Sequence, residues 1–253
     1  MVTVGDIYDA LNEFCPFERH EPWDNAGLLV GSRTQAVKKA AAVLDITAAA
    51  VEQAHAENAQ LIVSHHPVIF HPLKNVKPDN PVYLLAKYGI SAICAHTCLD
   101  CAQGGVNDVL AQLLSLSDVG VILSEQAQTP LLRAGNTQKQ MSPEQFAREV
   151  SKRLGCHVRF ADGGSDIRRA AVCGGAGGEF FADAGKAGCQ ALVTGEAAHH
   201  EFIEAAAMGI TLVEAGHFET ENPVVDVLVD FLGGHFPDLE VVKLSQNPPT
   251  EFI

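Results

Sequence analysis

The sequence predicts an α/β fold of two α/β domains related by an internal duplication, with a metal site at strand C-terminal ends between the halves. Three observations carry that prediction. Short apolar runs such as Leu61-Ile-Val-Ser64 and Ala191-Leu-Val-Thr194 alternate with helical stretches, the pattern of parallel βαβ units. The motif Gly-Ile-[Ser/Thr]-x-[Ile/Val]-x-Ala stands at 89–95 and again at 209–215. Ligand-capable side chains gather just past the strand ends, led by His65-His66, where open α/β sheets bind their ligands.

Each element has a local reason. Residues 3–14 read as an amphipathic helix, because Ile7, Leu11 and Phe14 recur at helical spacing. A turn at Trp23-Asp24-Asn25 leads into a strand, Gly27 to Val30. Trp23, the sole tryptophan, reads as a core or interface anchor, and Asp24 and Asn25 as an Asx-type turn ahead of a ligand-orienting role. Ala40 to Leu44 is a strand, Thr47 caps an Ala-rich helix over 48–58, and Leu61 to Ser64 is a buried parallel strand. Pro67 to Asn80, rich in proline and lysine, is a loop over the edge where that strand ends. A helix over 81–88 and a strand within 89–96 follow, and Gly104-Gly-Val-Asn-Asp108 opens a helix to about Leu114.

A Gln/Thr/Ser-rich stretch from Ser124 to Thr129 separates an N-terminal domain, 1–125, from a C-terminal one, 126–253. The last helix and strand can pack back on the first domain. Leu131 to Ala134 is a strand. Ser142-Pro143-Glu144 starts a helix that ends near Gly155, and strands lie around His157–Phe160 and Arg169–Cys173. The glycine run 174–178 has no Lys-Ser/Thr after it, so it is no nucleotide P-loop; a tight, close-packing turn is favoured over an anion cradle. Helix 179–187, strand 191–194, a helix near His199-His200 and a strand from Ile210 then repeat the plan of the first half. The tail helix carries Val224, Val227, Leu228 and Phe231 on one face, stops at Gly233-Gly234, and precedes a strand from Leu239 to Leu244.

Composition narrows the function. Of 253 residues, 47% are apolar and 19% charged, as in soluble globular proteins, and the net charge of −14 argues against nucleic-acid or anionic-membrane binding. There is no apolar run of about 20 residues. The first residues lack a basic-then-apolar pattern, so no signal peptide is expected, and seven cysteines without a small-scaffold spacing point to reduced thiols and the cytoplasm.

The residues that carry chemistry are His65, His66, Asp100, His217 and Glu221. Two adjacent histidines at a strand end point different ways, which suits two neighbouring ions better than one. Asp100 follows the next strand and supplies oxygen. His217 and Glu221, four apart, share one side of a helical turn, and Glu221 has two oxygens with which to bridge. Three imidazoles and two carboxylates suit two divalent transition-metal ions, Zn, Fe, Mn or Ni, rather than Ca or Mg. Such a pair can activate a bridging water for attack on a carbonyl, imine or phosphoryl group. His96 and Glu196 are the candidate catalytic groups, His96 near the site as ligand-orienting partner or proton shuttle and Glu196 as general base or, as often, a solvated helix cap, and His199 and His200 divide evenly between site and packing roles. Cys94, Cys98 and Cys101 lack the spacing of a zinc-thiolate site, and Lys74 and Lys77 read as solvated loop residues before phosphate contacts.

With these residues in place, the sequence resembles the Nif-three-like family, including the YbgI-type dinuclear-metal proteins that carry the name GTP cyclohydrolase 1 type 2 homologue. The resemblance spans the chain and rests on Trp23-Asp24-Asn25-x-Gly-Leu, Ser64-His65-His66-Pro67, His96-Thr-x-Leu-Asp100, Gly104-Gly-Val-Asn-Asp108, Thr194-Gly-Glu-x-x-His199-His200 and Gly216-His217-x-x-Thr220-Glu221. It implies a two-domain α/β subunit in a ring-shaped homohexamer with dinuclear centres facing inward. By motif match it puts His65 and Asp100 on one ion, His66 and His217 on the other, and Glu221 as the bridge. The chain departs from the family pattern at Cys98, where Asn is usual, and at Cys101, where Ala is usual.

The sequence is therefore read as a dinuclear metal-dependent hydrolase of a small molecule, with GTP cyclohydrolase-like opening of a nucleotide ring as the particular reaction. The alternative is a metal-binding, metal-delivery or regulatory protein without turnover.

Overall fold

The computed structural model describes residues 1–251. The chain divides into two compact units, Met1–Ala102 with Val224–Asn247, and Gln103–Pro223 with the chain from Pro248 on.

In the first unit, helix α1 (Val4–Phe14) starts at a capping box between Thr3 and Asp6 and buries Ile7 and Leu11. Strand β1 (Gly27–Val30) is followed by β2 (Lys39–Val43), α2 (Ala48–Ala56), β3 (Leu61–Ser64), α3 (Pro81–Tyr88), β4 (Ser91–Cys94) and the five-residue α4 (Thr97–Cys101). Thr47 caps α2, its hydroxyl accepting the Ala50 amide at 3.1 Å. Strands β2, β3 and β4 are parallel neighbours, and β1 runs antiparallel on β4. Leu61, Ile62 and Val63 are fully buried, each contributing about 1.5–3 kcal/mol, so β3 cannot slide. That anchoring fixes where its last residue delivers the chain: into His65.

The second unit opens with α5 (Val106–Leu113) and continues through β5 (Ser117–Ile122), β6 (Leu132–Met141), α6 (Pro143–Leu154), β7 (Arg159–Ala161), β8 (Ile167–Cys173), α7 (Phe181–Lys186), β9 (Ala191–Thr194), α8 (His199–Ala207), β10 (Thr211–Glu214) and the five-residue α9 (His217–Glu221). Its six-stranded sheet has the order β5-β6-β8-β9-β10-β7, with β8, β9 and β10 parallel and β7 antiparallel on β10. The chain then returns to the first unit as α10 (Val224–His235) and β11 (Glu240–Lys243), which lies parallel on β2 and completes the order β1-β4-β3-β2-β11. Among the described residues no helix is long and apolar enough to cross a membrane.

The duplication extends to single side chains. The recurring Gly-Ile motifs lie on β4 and β10, each the third parallel strand of its unit, each flanked by an antiparallel edge strand and followed by a five-residue helix. Before β3, Gln60 Oε1 accepts the amides of Lys38 and Lys39 at 2.9 and 3.0 Å. Before β9, Gln190 Oε1 accepts those of Arg168 and Arg169, both at 3.1 Å. Each glutamine side chain thus clamps the start of the neighbouring strand. Gln190→Ala is expected to cost about 1 kcal/mol in a denaturant titration, and Gln60→Ala about the same in its own unit. Unchanged stability in both would show that the repeated clamp carries no weight.

Three boundaries differ from the sequence reading. The helix α5, which composition puts before the domain boundary at 125, belongs to the second unit, where Leu110 and Ala111 pack with Val172 and Val193. The strand expected over 131–134 runs on to Met141 and pairs with β5, an unexpected edge strand. Asp118 at positive φ and a register irregularity between Ser117 and Gly120 hide the strand alternation there. Helix α10 runs through Gly233 and Gly234 to His235, although each glycine costs about 1 kcal/mol in a helix. His235 Nδ1 donates to the Phe231 carbonyl at 3.0 Å and its ring lies 4.0 Å from that of Phe231, closing the last turn.

Candidate metal centre

The parallel register of β2, β3 and β4 brings their carboxyl ends to one edge of the first sheet, and three imidazoles gather there. His65 follows β3 and is fully buried; His66 follows it; His96 follows β4. One ring nitrogen from each lies within 4.8 Å of the others. Their orientation is set from behind. His65 Nδ1 is 2.9 Å from the Ala95 carbonyl, His66 Nδ1 is 2.7 Å from Asp45 Oδ1, and His96 Nδ1 is 2.7 Å from Asp24 Oδ1. A carbonyl or a carboxylate can only accept, so each Nδ1 carries a proton, and in the neutral ring each Nε2 presents the lone pair. Asp100, the fourth residue of α4, places Oδ1 3.6 Å from His65 Nε2.

The second unit repeats the device once. His217 and Glu221 are the first and last residues of α9, with His217 Nε2 3.0 Å from Glu221 Oε2. His217 Nδ1 lies 2.8 Å from Glu196 Oε1. Glu221 is buried and sits against the glycine run: a Cβ on Gly175 would come 2.2 Å from Glu221 Oε1 and 3.3 Å from His217 Nε2. The φ of +64° at Gly175 also disfavours a side chain there. Close approach, rather than anion binding, accounts for these glycines, and Asn107 pins the run by accepting the Gly174 amide at 2.8 Å.

These positions bear on several sequence expectations. His96 joins His65 and His66, whereas His199 and His200 stand exposed at the start of α8. Glu196, read as a general base or a solvated helix cap, is engaged with His217. Trp23 is no core anchor, being 57% exposed. Asp24 is buried and orients His96, and its other oxygen accepts the amide and hydroxyl of Thr97 at 3.1 and 2.6 Å, so it caps α4 from outside. The orienting role placed second to an Asx turn is the one this carboxylate fills; its bond to the Asn25 amide at 2.6 Å reaches only the next residue and is not the i→i+2 bond of an Asx turn. Burial pushes the Asp24 carboxyl up, but the hydrogen bond and charge of His96, with the Thr97 and Asn25 bonds, outweigh it and bring it to about 2. Asp45 is the residue sequence reasoning missed. Its signal was its position at the end of β2, on the same sheet edge as His65.

Among the described residues no cysteine joins the groups of side chains that could hold a metal ion. Burial holds the Cys94 thiol well above its ordinary range, and a hydrogen bond with Cys15 together with burial does the same to Cys98. Cys94 instead donates its S–H to the His65 carbonyl at 2.9 Å. The donor set is thus nitrogen and oxygen, in the proportion that suits a divalent transition metal.

Residues 2–249 match the family model described as Duf34/NIF3 (NGG1p interacting factor 3). The chain belongs to the Duf34/NIF3 family. A Clostridium perfringens relative named GTP cyclohydrolase 1 type 2 homolog is 29% identical, the match covering all of both chains. A Helicobacter pylori relative named GTP cyclohydrolase 1 type 2 is 31% identical, with 98% of each covered. Among solved structures, that of the Staphylococcus aureus protein SA1388 aligns at a TM-score of 0.89 with 25% identity, covering 100% of this chain and 99% of that one. The Duf34/NIF3 fold is therefore the frame in which these histidines and carboxylates stand.

Proposed function

We propose that this Duf34/NIF3 protein is a dinuclear metal-dependent hydrolase acting on a small molecule. The observation that supports it is the anchoring of four imidazoles through Nδ1 on oxygen acceptors, three of them carboxylates, which leaves Nε2 of His65, His66 and His217 to metal ions and Nε2 of His96 to proton transfer. In this reading His65 and Asp100 hold one ion, His66 and His217 hold the other, and Glu221 is shared; that division rests on the motif match of the sequence. Divalent ions so held supply Lewis acidity and a water acidic enough to react near neutral pH. His96, held at Nδ1 by Asp24, is the group placed to take or give a proton at Nε2. The names of the Clostridium and Helicobacter relatives make cyclohydrolase-type opening of a nucleotide ring the particular reaction. A homohexamer in the cytoplasm completes the proposal.

One observation favours a second reading, a metal-binding protein without turnover: Glu196, the carboxylate expected as a base, is occupied in holding His217. The deciding experiment is metal content per chain by mass spectrometry on anaerobically purified protein, beside His65→Ala and Glu221→Ala. About two transition-metal ions per chain, reduced in both variants, support the dinuclear centre. Nucleotide hydrolysis that falls with the ion content then supports the hydrolase, and a full ion load with no substrate consumed supports the second reading. Less than one ion, unchanged by either substitution, overturns both.

A further inference from the structure

We propose that Cys98 and Cys101 are a peroxide-sensitive thiol pair whose disulfide displaces Asp100 and loosens the ion there; the pair goes beyond the hydrolase reading, while its effect on the ion rests on that reading. The two cysteines are the second and last residues of α4, and Asp100 stands between them. Residues three apart on a helix are neighbours, and Cys101 Sγ already reaches back to the Cys98 carbonyl at 3.3 Å. Their surroundings give them different parts. Cys101 is half-buried and open to a small oxidant, whereas Cys98 is 1% exposed. Behind Cys98 lies Cys15, hydrogen-bonded to it, fully buried, and donating its own S–H to the Leu11 carbonyl at 3.3 Å. Cys94 is fully buried on the His65 carbonyl. Of these four thiols, Cys101 is the one an oxidant meets first.

The chemistry balances with a peroxide as oxidant. The Cys101 sulfur attacks one peroxide oxygen, the O–O bond breaks, and a sulfenic acid and a water form. The Cys98 sulfur then attacks the Cys101 sulfur, the S–O bond breaks, and the hydroxyl leaves with the Cys98 proton as a second water. Two thiols lose two electrons, and one peroxide is reduced to two waters. Closing this bond moves the ligand. Cβ atoms three apart on a helix lie about 5–6 Å from each other, and a disulfide holds them at about 3.5–4.5 Å. The end of α4 must therefore tighten by about 1–2 Å. Its start cannot follow, because Asp24 accepts the Thr97 amide and hydroxyl and Leu99 is fully buried. Past Cys101 the chain is extended at Ala102, with φ −66° and ψ 148°, so no further helical turn resists the motion. The displacement falls on Asp100, whose Oδ1 stands 3.6 Å from His65 Nε2.

The test uses the zinc-loaded chain, because Zn²⁺ has no redox chemistry of its own. Hydrogen peroxide is added and then removed with catalase. The disulfide is mapped by fragmentation mass spectrometry, and zinc affinity is read with a chromophoric chelator. A Cys98–Cys101 link is expected, with zinc affinity lowered at least about tenfold and restored by dithiothreitol. Cys101→Ala, at the half-buried position, and Cys98→Ser should each keep their zinc affinity through the peroxide treatment. A Cys15–Cys98 link, or Cys101 driven to sulfinic acid with no link, overturns the pair. A Cys98–Cys101 link with unchanged zinc affinity overturns the displacement of Asp100. A link that forms in a chain holding no zinc even when reduced leaves the thiol pair standing and removes the metal reading.

Discussion

Asp24→Asn is expected to lower the stability of the first unit by about 2 kcal/mol at neutral pH, a magnitude that follows from a carboxyl drawn down from 3.8 to about 2 in the folded chain. The sign follows from proton binding. A group whose folded pKa lies below its unfolded one adds stability that is fully present above the unfolded value and lost as pH falls through the folded one. The difference between wild type and variant should therefore be constant from neutral pH down to about 4 and shrink from there towards pH 2. Asparagine has the carboxylate's shape but one acceptor oxygen, so it cannot serve His96 Nδ1 on one side and the Thr97 amide and hydroxyl on the other. Asp24→Ala leaves these three donors and the Asn25 amide without this acceptor and should cost more than Asp24→Asn. Denaturant titrations at a series of pH values check this, and a stability gap that stays constant down to pH 2 would contradict it.

The same network shows what the sequence could and could not convey. The parallel strands were legible because Leu61 to Val63 and Ala191 to Val193 are buried on both faces, and double burial produces an unbroken apolar run. The histidines were legible because the strand-end rule converts position into chemistry, and the four-residue spacing of His217 and Glu221 fits one helical turn. Hydrogen-bond partners were harder. Asp24 and His96 stand 72 positions apart, Asp45 and His66 stand 21 apart, and no local pattern records such pairs. Edge strand β5 stayed hidden because a strand exposed at five of its six positions has no buried alternation to display. The exposure of Trp23 was hidden for a different reason. Apolarity predicts burial, and a ring held outward by its neighbours' hydrogen bonds goes against it.

Asp45→Ala is expected to weaken the affinity for the first transition-metal ions by roughly 10–100-fold while leaving the fold intact. Asp45 meets His66 at Nδ1 and is not itself a proposed ligand, so its loss removes none; it frees the ring to rotate and to move its proton to Nε2, the nitrogen that must carry the lone pair. The carboxylate is itself held: Gln246 Oε1 accepts the Asp45 amide at 3.1 Å, and Gln246 Nε2 donates to Asp45 Oδ2 at 3.2 Å. Gln246→Ala should accordingly reproduce a fraction of the loss from two steps away. Glu196→Ala makes the matching test at His217, and its effect should be the smaller one. The Glu196 side chain is 62% exposed against 40% for Asp45, and water competes for its hydrogen bond and screens its charge. Ion titration against a chromophoric chelator measures all three variants, with circular dichroism to confirm the fold. The order Asp45→Ala, then Glu196→Ala, then Gln246→Ala is the signature of orientation acting through the imidazoles. Wild-type affinity in Asp45→Ala would mean that packing alone sets the His66 ring and that the carboxylate behind it plays no part in holding the ion.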